Sequence, residues 1–200
     1  MATKRIGKYG TYYGSVYSAS VSLTTDEMNT NATYIFHYLS QAGWTVNSIA
    51  GILGNMQAES SLNPGRWQSD YVGNTSGGYG LVQWTPATNY LNWVKGDAST
   101  MDNNLSRILY ELENGLQWIA TEAYPLSFAE FSQSDKSPAY LASAFLKNYE
   151  RAGVEVEETR KKNAESWYTF ITGLPAWREK RKKKKGYNFV LFNRQKRIRR

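Results

Sequence analysis

One histidine and no cysteine in 200 residues leave carboxylates as the groups able to do acid–base chemistry in this chain. A zinc peptidase needs several His or Cys ligands, and a Ser-His-Asp or Cys-His arrangement needs an imidazole as its base. His37 lies in Tyr34-Ile35-Phe36-His37-Tyr38-Leu39, a context for packing or capping. The carboxylate that stands out is Glu59, in Gly54-Asn-Met-Gln-Ala-Glu59-Ser-Ser-Leu-Asn-Pro64. At about 100° per residue it falls at the edge of the stripe formed by Ile49, Ile52, Leu53 and Met56, in the last turn of its helix. Burial and the negative end of the helix dipole both favour a neutral carboxyl there. A carboxyl that keeps its proton near neutral pH can donate it to a glycosidic oxygen. Taken by itself, such a Glu reads as an ordinary charge at an amphipathic edge.

Its surroundings change that reading. About twenty residues on comes Gly78-Tyr-Gly-Leu-Val-Gln83-Trp-Thr-Pro-Ala-Thr88. Trp67, Tyr79 and Trp84 offer flat apolar rings of the kind that stack on pyranose faces, with a core role the alternative for each. Glu59-Ser-Ser-Leu-Asn-Pro followed by Gly80-Leu-Val-Gln-Trp-Thr-Pro-Ala-Thr resembles the first two signatures of the soluble lytic transglycosylase and goose-type lysozyme group. From about Met28 to Thr172 the chain is more similar still to the lysozyme domain of the tail-knob proteins of small podophages infecting Gram-positive bacteria. That resemblance rests on Gly-Asn-Met-Gln-x-Glu-Ser, Asn63-Pro64-Gly65, Gly-Leu-Val-Gln-Trp-Thr-Pro-Ala and Tyr149-Glu150-Arg151. It implies a peptidoglycan-cleaving enzyme with Glu59 as catalytic acid and with Gln83 and its neighbours against the saccharide.

Two departures bear on the chemistry. Tail-knob proteins continue into a metallopeptidase domain, an activity not expected of a chain with one His that ends at Arg200. Their Tyr-Glu-Arg-Pro is here Tyr149-Glu150-Arg151-Ala152-Gly153, closer to the Tyr-Asn-Ala-Gly of transglycosylases, whose Tyr faces the active site. Hydrolysis by water and internal attack giving a 1,6-anhydro sugar both stay open. A hydrolase usually needs a second carboxylate. Asp70, in the glycine-rich segment where a lysozyme's second acid commonly falls, is the candidate, with a turn-capping Asp the alternative reading. Glu150 is either ion-paired for structure, with Arg151 a candidate partner, or in the cleft. Glu113 flanks its helix stripe and is equally a surface charge.

These residues are carried by an all-α pattern with one glycine-rich insertion. Thr24 with Glu27 forms a capping box opening a helix with Ala32, Ile35, Phe36 and Leu39 inward, ended by Gly43. A second helix runs from about Val46 to Ser61, ended by Asn63-Pro64. Residues 65–80 read as a loop or small β-wing. Thr85-Pro86 reads as a cap with proline at the first helical position. A long helix from about Asp102 carries Leu105, Ile108, Leu109, Leu112, Leu116 and Ile119 inward. Ser127 with Glu130, and Ser137 with Pro138, open two more, and a last helix spans about Glu155 to Thr172. The expected organisation is an N-terminal arm (1–23), a lysozyme-like domain (24–174) and a basic C-terminal tail (175–200).

The net charge of +7 belongs to that tail. From Arg178 to Arg200 there are twelve Lys/Arg and one acid, while the other 177 residues carry twelve Lys/Arg and sixteen acids. Basicity therefore says nothing about the domain's substrate. The run Lys180–Lys185, the apolar Tyr187–Phe192 and the basic Arg194–Arg200 are expected to meet other phage tail proteins, as is the N-terminal arm, with packaged DNA the second candidate. Thr11 to Ser22 is no signal peptide, and no segment has the roughly 18 apolar residues of a membrane span. No cofactor or metal is expected. A place in the virion tail, after synthesis in the host cytoplasm, would bring such an enzyme to a cell wall from outside.

Overall fold

Helix α2 (Val46–Ser60) is the axis around which the chain packs. The computed structural model describes residues 2–14, 23–151 and 157–175. Before α2 come strands β1 (Thr3–Gly7) and β2 (Gly10–Gly14) and helix α1 (Thr25–Gln41). After it come α3 (Thr88–Leu91), α4 (Met101–Glu113), α5 (Phe128–Ser132), α6 (Pro138–Phe145) and α7 (Glu157–Gly173). The fold is mainly α, as the hydrophobic spacing predicts.

The expected caps are present. Thr24 Oγ1 accepts from the Glu27 N–H at 3.3 Å and the Glu27 carboxylate accepts from the Thr24 N–H at 2.8 Å. Ser127 and Glu130 repeat the box on α5, and Ser137 caps α6 ahead of Pro138 at its first turn. Each device satisfies backbone N–H groups that a helix start leaves without partners.

α2 is buried along most of its length rather than on one stripe, which marks a core helix. Two glycines let its neighbours come close. A Cβ on Gly51 would lie 2.8 Å from Leu141 Cβ of α6, and one on Gly54 would lie 2.5 Å from the Arg160 carbonyl of α7. Ile49, Ile52, Leu53 and Met56 fill the remaining space with Ile35, Leu39, Leu105 and Phe145, each large side chain contributing about 1.5–3 kcal/mol by burial.

Two local expectations differ from the structure. α4 stops at Glu113 because Gly115 turns left-handed (φ +62°) and the Leu116 N–H closes on the Glu111 carbonyl at 2.8 Å. Leu116 and Ile119 therefore lie beyond the helix and are exposed. Thr85 does not cap α3: its hydroxyl bonds the Gln83 carbonyl at 2.9 Å, and the helix begins three residues later. The glycine-rich insertion is a loop, one of the two forms expected, pinned by two isolated β-bridges, Trp67 with Tyr79 and Tyr79 with Trp84, and a 3-10 turn, Gln68–Asp70.

Residues 3–14 of the N-terminal arm form an antiparallel hairpin in the register Thr3 to Gly14 and Gly7 to Gly10. It docks on α1. Tyr12 is buried edge-on to Tyr34, and the Asn31 side chain takes the Tyr13 N–H at 2.6 Å and gives to its carbonyl at 2.7 Å. Residues 15–22 and the basic tail from 176, with its expected contacts, lie outside the described residues.

Candidate active site

A cleft of about 340 Å³ opens beside the C-terminal end of α2. Glu59, Gln83, Trp84, Tyr149 and Glu150 line it together with Arg66. Five of the eight residues singled out in the sequence therefore meet in one place.

Glu59 sits in the last turn of α2 with its side chain 22 % exposed, facing the cleft, and is ion-paired to Arg160 Nη2. The other end of the same guanidinium, Nη1, lies 3.1 Å from Glu150 Oε2 and 3.2 Å from the Asn55 carbonyl. Arg160 reaches this position because α7 crosses α2 at Gly54, where a side chain would push it away. The partner of Glu150 is thus Arg160; Arg151 instead donates to the Gln117 carbonyl at 2.6 Å. Burial holds the Glu150 carboxyl well above the ordinary glutamate range, and the neighbouring Glu59 charge pushes it further the same way.

Tyr149 and Glu150 lie on a π-helical segment, Leu146–Glu150, that continues α6 and ends at Arg151 in a left-handed conformation. Such widened turns re-aim side chains and are frequent at functional sites. Asn148 in the same turn accepts from the Thr121 N–H at 3.1 Å and donates to the Tyr124 carbonyl at 2.8 Å. Gln117 donates to the Tyr149 carbonyl at 3.1 Å. These bonds tie the loop after α4 to the cleft wall.

Behind the wall is a buried polar network. Trp84 Nε1 donates to Glu111 Oε1 at 3.0 Å and to the Tyr149 hydroxyl at 2.9 Å. The Tyr149 hydroxyl donates in turn to Glu111 Oε2, and Arg107 Nε approaches Glu111 Oε1 at 2.8 Å. Burial raises both the Tyr149 hydroxyl and, despite three donors, the Glu111 carboxyl.

Gln83 adopts φ +49°, and its Nε2 donates to the Arg66 carbonyl at 3.1 Å and the Gly80 carbonyl at 2.9 Å, which fixes the amide at the cleft edge. Gly80 is required where it stands, with φ +82° and only 2.6 Å between a notional Cβ and Asn104 Oδ1.

The aromatic candidates divide. Trp84 reaches the cleft but is stacked on Tyr90, with ring centroids 4.6 Å apart. Tyr79 is 2 % exposed between Tyr90 and Trp67, and Trp67 is 9 % exposed, so both rings are spent on packing. Asp70, next to the lining Ser69, is turned into an ion pair with Arg66 Nε at 3.4 Å and does not line the cleft. Glu113 is exposed. His37 packs beside Phe36, its imidazole shifted down by burial.

Sequence reading missed Arg160 and Glu111. Both were visible in principle: Arg160 leads the buried series Ala164, Trp167 and Ile171 at helical spacing, and Glu111 follows Asn104 and Ile108 in the same way. Arg160 is masked by the charged run around it, and Glu111 lies beside, rather than within, the apolar stripe of its helix. Among the described residues no group of three or more His, Cys, Asp or Glu is placed to hold a metal ion. Nor does any described helix have the length and apolarity to cross a membrane.

Residues 30–171 match the family model described as phage tail lysozyme. The chain is also 48 % identical over 160 residues to Morphogenesis protein 1 of Bacillus phage B103. That match covers 78 % of this chain and 43 % of the relative, so the chain spans less than half of that protein's length.

Proposed function

The chain belongs to the phage tail lysozyme family, and from that we propose that it is a virion-associated glycosidase that cuts the glycan strands of host peptidoglycan, with Glu59 as general acid. The observation that carries this is Glu59 itself: a glutamate at the rim of a saccharide-sized cleft, backed by a buried guanidinium. Protonated Glu59 gives its proton to the leaving sugar oxygen, and Arg160 compensates the carboxylate that remains. In the hydrolytic form of the reaction, water completes the cleavage and returns a proton to Glu59. Gln83 and the wall of Trp84 and Tyr149 hold the sugar, and Asp70 acts by fixing Arg66 at the edge of the cleft.

Transglycosylation is the second reading, and one observation favours it. The lining carboxylates, Glu59 and Glu150, share one guanidinium, so neither stands apart to hold a water on the opposite face of the sugar. Internal attack by the sugar's own 6-hydroxyl needs no such carboxylate.

Digestion of purified peptidoglycan tests both. Glu59→Gln should cut the cleavage rate at least about 100-fold with the fold intact, the low end for loss of a general acid. Mass spectrometry of the products then separates the two outcomes, since an anhydro end is lighter than a hydrolysed one by one water. A Glu59→Gln protein with more than a tenth of wild-type activity would move the acid elsewhere. The proposed setting is the phage tail, where the enzyme opens the wall and the basic tail from residue 176 contacts neighbouring tail proteins or packaged DNA. Removing that tail should spare activity on isolated wall and reduce incorporation into virions.

A further inference from the structure

The mechanism above uses Glu59 and leaves Glu150 unexplained, although it is the most deeply buried carboxylate in the cleft wall. We propose that Glu150 is the proton partner of Glu59, the two carboxyls exchanging one proton directly while both lean on the guanidinium of Arg160. The inference rests on the reading of Glu59 as the acid and deepens it.

Three features carry it. Both carboxylates contact the same guanidinium, Glu59 at Nη2 and Glu150 at Nη1, so its positive charge serves whichever of them is ionised. Arg160 is in turn anchored by the Asn55 carbonyl and by the close crossing at Gly54, so it does not follow one carboxylate away from the other. Finally, the Glu150 side chain is 6 % exposed against 22 % for Glu59, so one carboxyl is withdrawn from water while the other meets the cleft. A buried carboxyl beside a second one keeps its proton most readily, and burial does push Glu150 in that direction.

The step balances internally. The O–H bond of Glu150 breaks and an O–H bond forms on Glu59; the negative charge passes from Glu59 to Glu150, and Arg160 stays charged beside both. Two carboxyls, one proton and one guanidinium sum to zero before and after, so no charge is created in the buried wall. Glu59 then donates to the glycosidic oxygen, recovers a proton from the incoming nucleophile, and the pair is reset.

Other charges facing this cluster are already engaged. Arg66 pairs with Asp70, Arg151 donates to Gln117, and Glu157 of α7 pairs with Lys161 and Lys147. From α4, Glu111 is held by Arg107 and by Tyr149, which lines the same wall.

The test is the pH–rate profile on purified peptidoglycan of the wild type, Glu150→Gln and Glu150→Asp, with thermal unfolding measured alongside. Gln keeps the shape and removes the exchangeable proton, so the alkaline limb should move to lower pH by about one unit or more, a tenfold loss at a fixed pH above it. Asp, which retains a carboxyl, should move the limb back towards the wild type. A purely structural Glu150 would change unfolding and leave the limb in place, and that result overturns the proposal. If Glu150→Gln does not fold, the wild type still answers: carbon-13 NMR of the glutamate carboxyls should show Glu59 and Glu150 titrating in coupled steps, and independent single-step titrations overturn it. The outcomes stay separable from the parent reading. An active Glu59→Gln sinks the general acid, whereas an inactive Glu59→Gln with an unmoved Glu150→Gln limb sinks only the proton exchange.

Discussion

Glu59 and Glu150 stand on different helical segments yet are held by the two ends of one guanidinium, that of Arg160. Removing the cation from such a cluster leaves two carboxyls without a counter-charge in a buried wall, and removing either carboxyl changes where the shared proton sits. The consequences reach stability as well as chemistry.

The pH dependence of folding should carry the signature of Glu150. Its carboxyl is held well above the ordinary range in the folded protein, so the native state binds a proton that the unfolded chain gives up near pH 4.3, roughly. A raised folded value means that the stabilising contribution is complete below the unfolded value and is lost as pH climbs through the folded one. Calorimetry should show the wild-type Tm falling as pH rises from the unfolded value through the raised folded one, and a flatter curve for Glu150→Gln. A wild-type Tm that rises with pH across the window would contradict the assignment.

Glu111 should prove costly to truncate. It accepts from Trp84, Tyr149 and Arg107 while 1 % exposed, so Glu111→Ala strands the Tyr149 hydroxyl and the Arg107 guanidinium behind the cleft wall and leaves Trp84 only the Tyr149 oxygen. The expected loss is on the order of 3–5 kcal/mol, as for breaking a buried ion pair. Glu111→Gln keeps one acceptor oxygen for Trp84, and its amide can donate to the Tyr149 hydroxyl instead of accepting from it, so it should lose less. Denaturant unfolding of both variants measures the difference.

How far the sequence reveals the site depends on what each residue's neighbours in the chain say about its burial. Glu59 and Gln83 are legible because their segments carry a motif, and the caps at Thr24, Ser127 and Ser137 because capping is a local interaction. Trp67 and Tyr79 look free in a polar, glycine-rich stretch, but the insertion folds back so that the two rings pack on each other and Tyr79 also stacks on Tyr90. Arg160 looks like surface charge within Glu157-Glu158-Thr159-Arg160-Lys161-Lys162. Only the 3.6-residue period, continued to Ala164 and Trp167, turns it inward. The hairpin of residues 3–14 escapes because it is stabilised by α1, far along the chain, rather than by its own sequence.

Gly54→Ala should injure both fold and activity. The added methyl would lie 2.5 Å from the Arg160 carbonyl and 2.9 Å from Ala164 Cβ, and neither helix can give without moving Arg160. Overpacking of this kind costs about 1–3 kcal/mol. Peptidoglycan digestion should fall in a protein that remains helical by circular dichroism; a variant with wild-type rate would mean that the α2–α7 spacing is not critical to the site.

Deleting residues 1–14 should lower the Tm without abolishing cleavage at low temperature. The deletion uncovers the face of α1 that Tyr12 protects, worth about 1.5–3 kcal/mol for that side chain. It also leaves the buried Asn31 amide without the Tyr13 backbone. The cleft residues lie elsewhere in the chain. Loss of all activity in a folded deletion variant would place the hairpin in the substrate path.

The Glu59–Arg160 pair bridges 101 residues of sequence. A ribosome delivers the chain from its N-terminus, so the proposed acid emerges long before the guanidinium that completes its surroundings. A nascent or prematurely ended chain lacking α7 has the carboxylate and the cleft floor without the counter-ion, and leaves the α2 face at Gly54 bare. On the proposed function, the competence to cleave glycan is therefore acquired late in synthesis, and a fragment that stops before α7 lacks it.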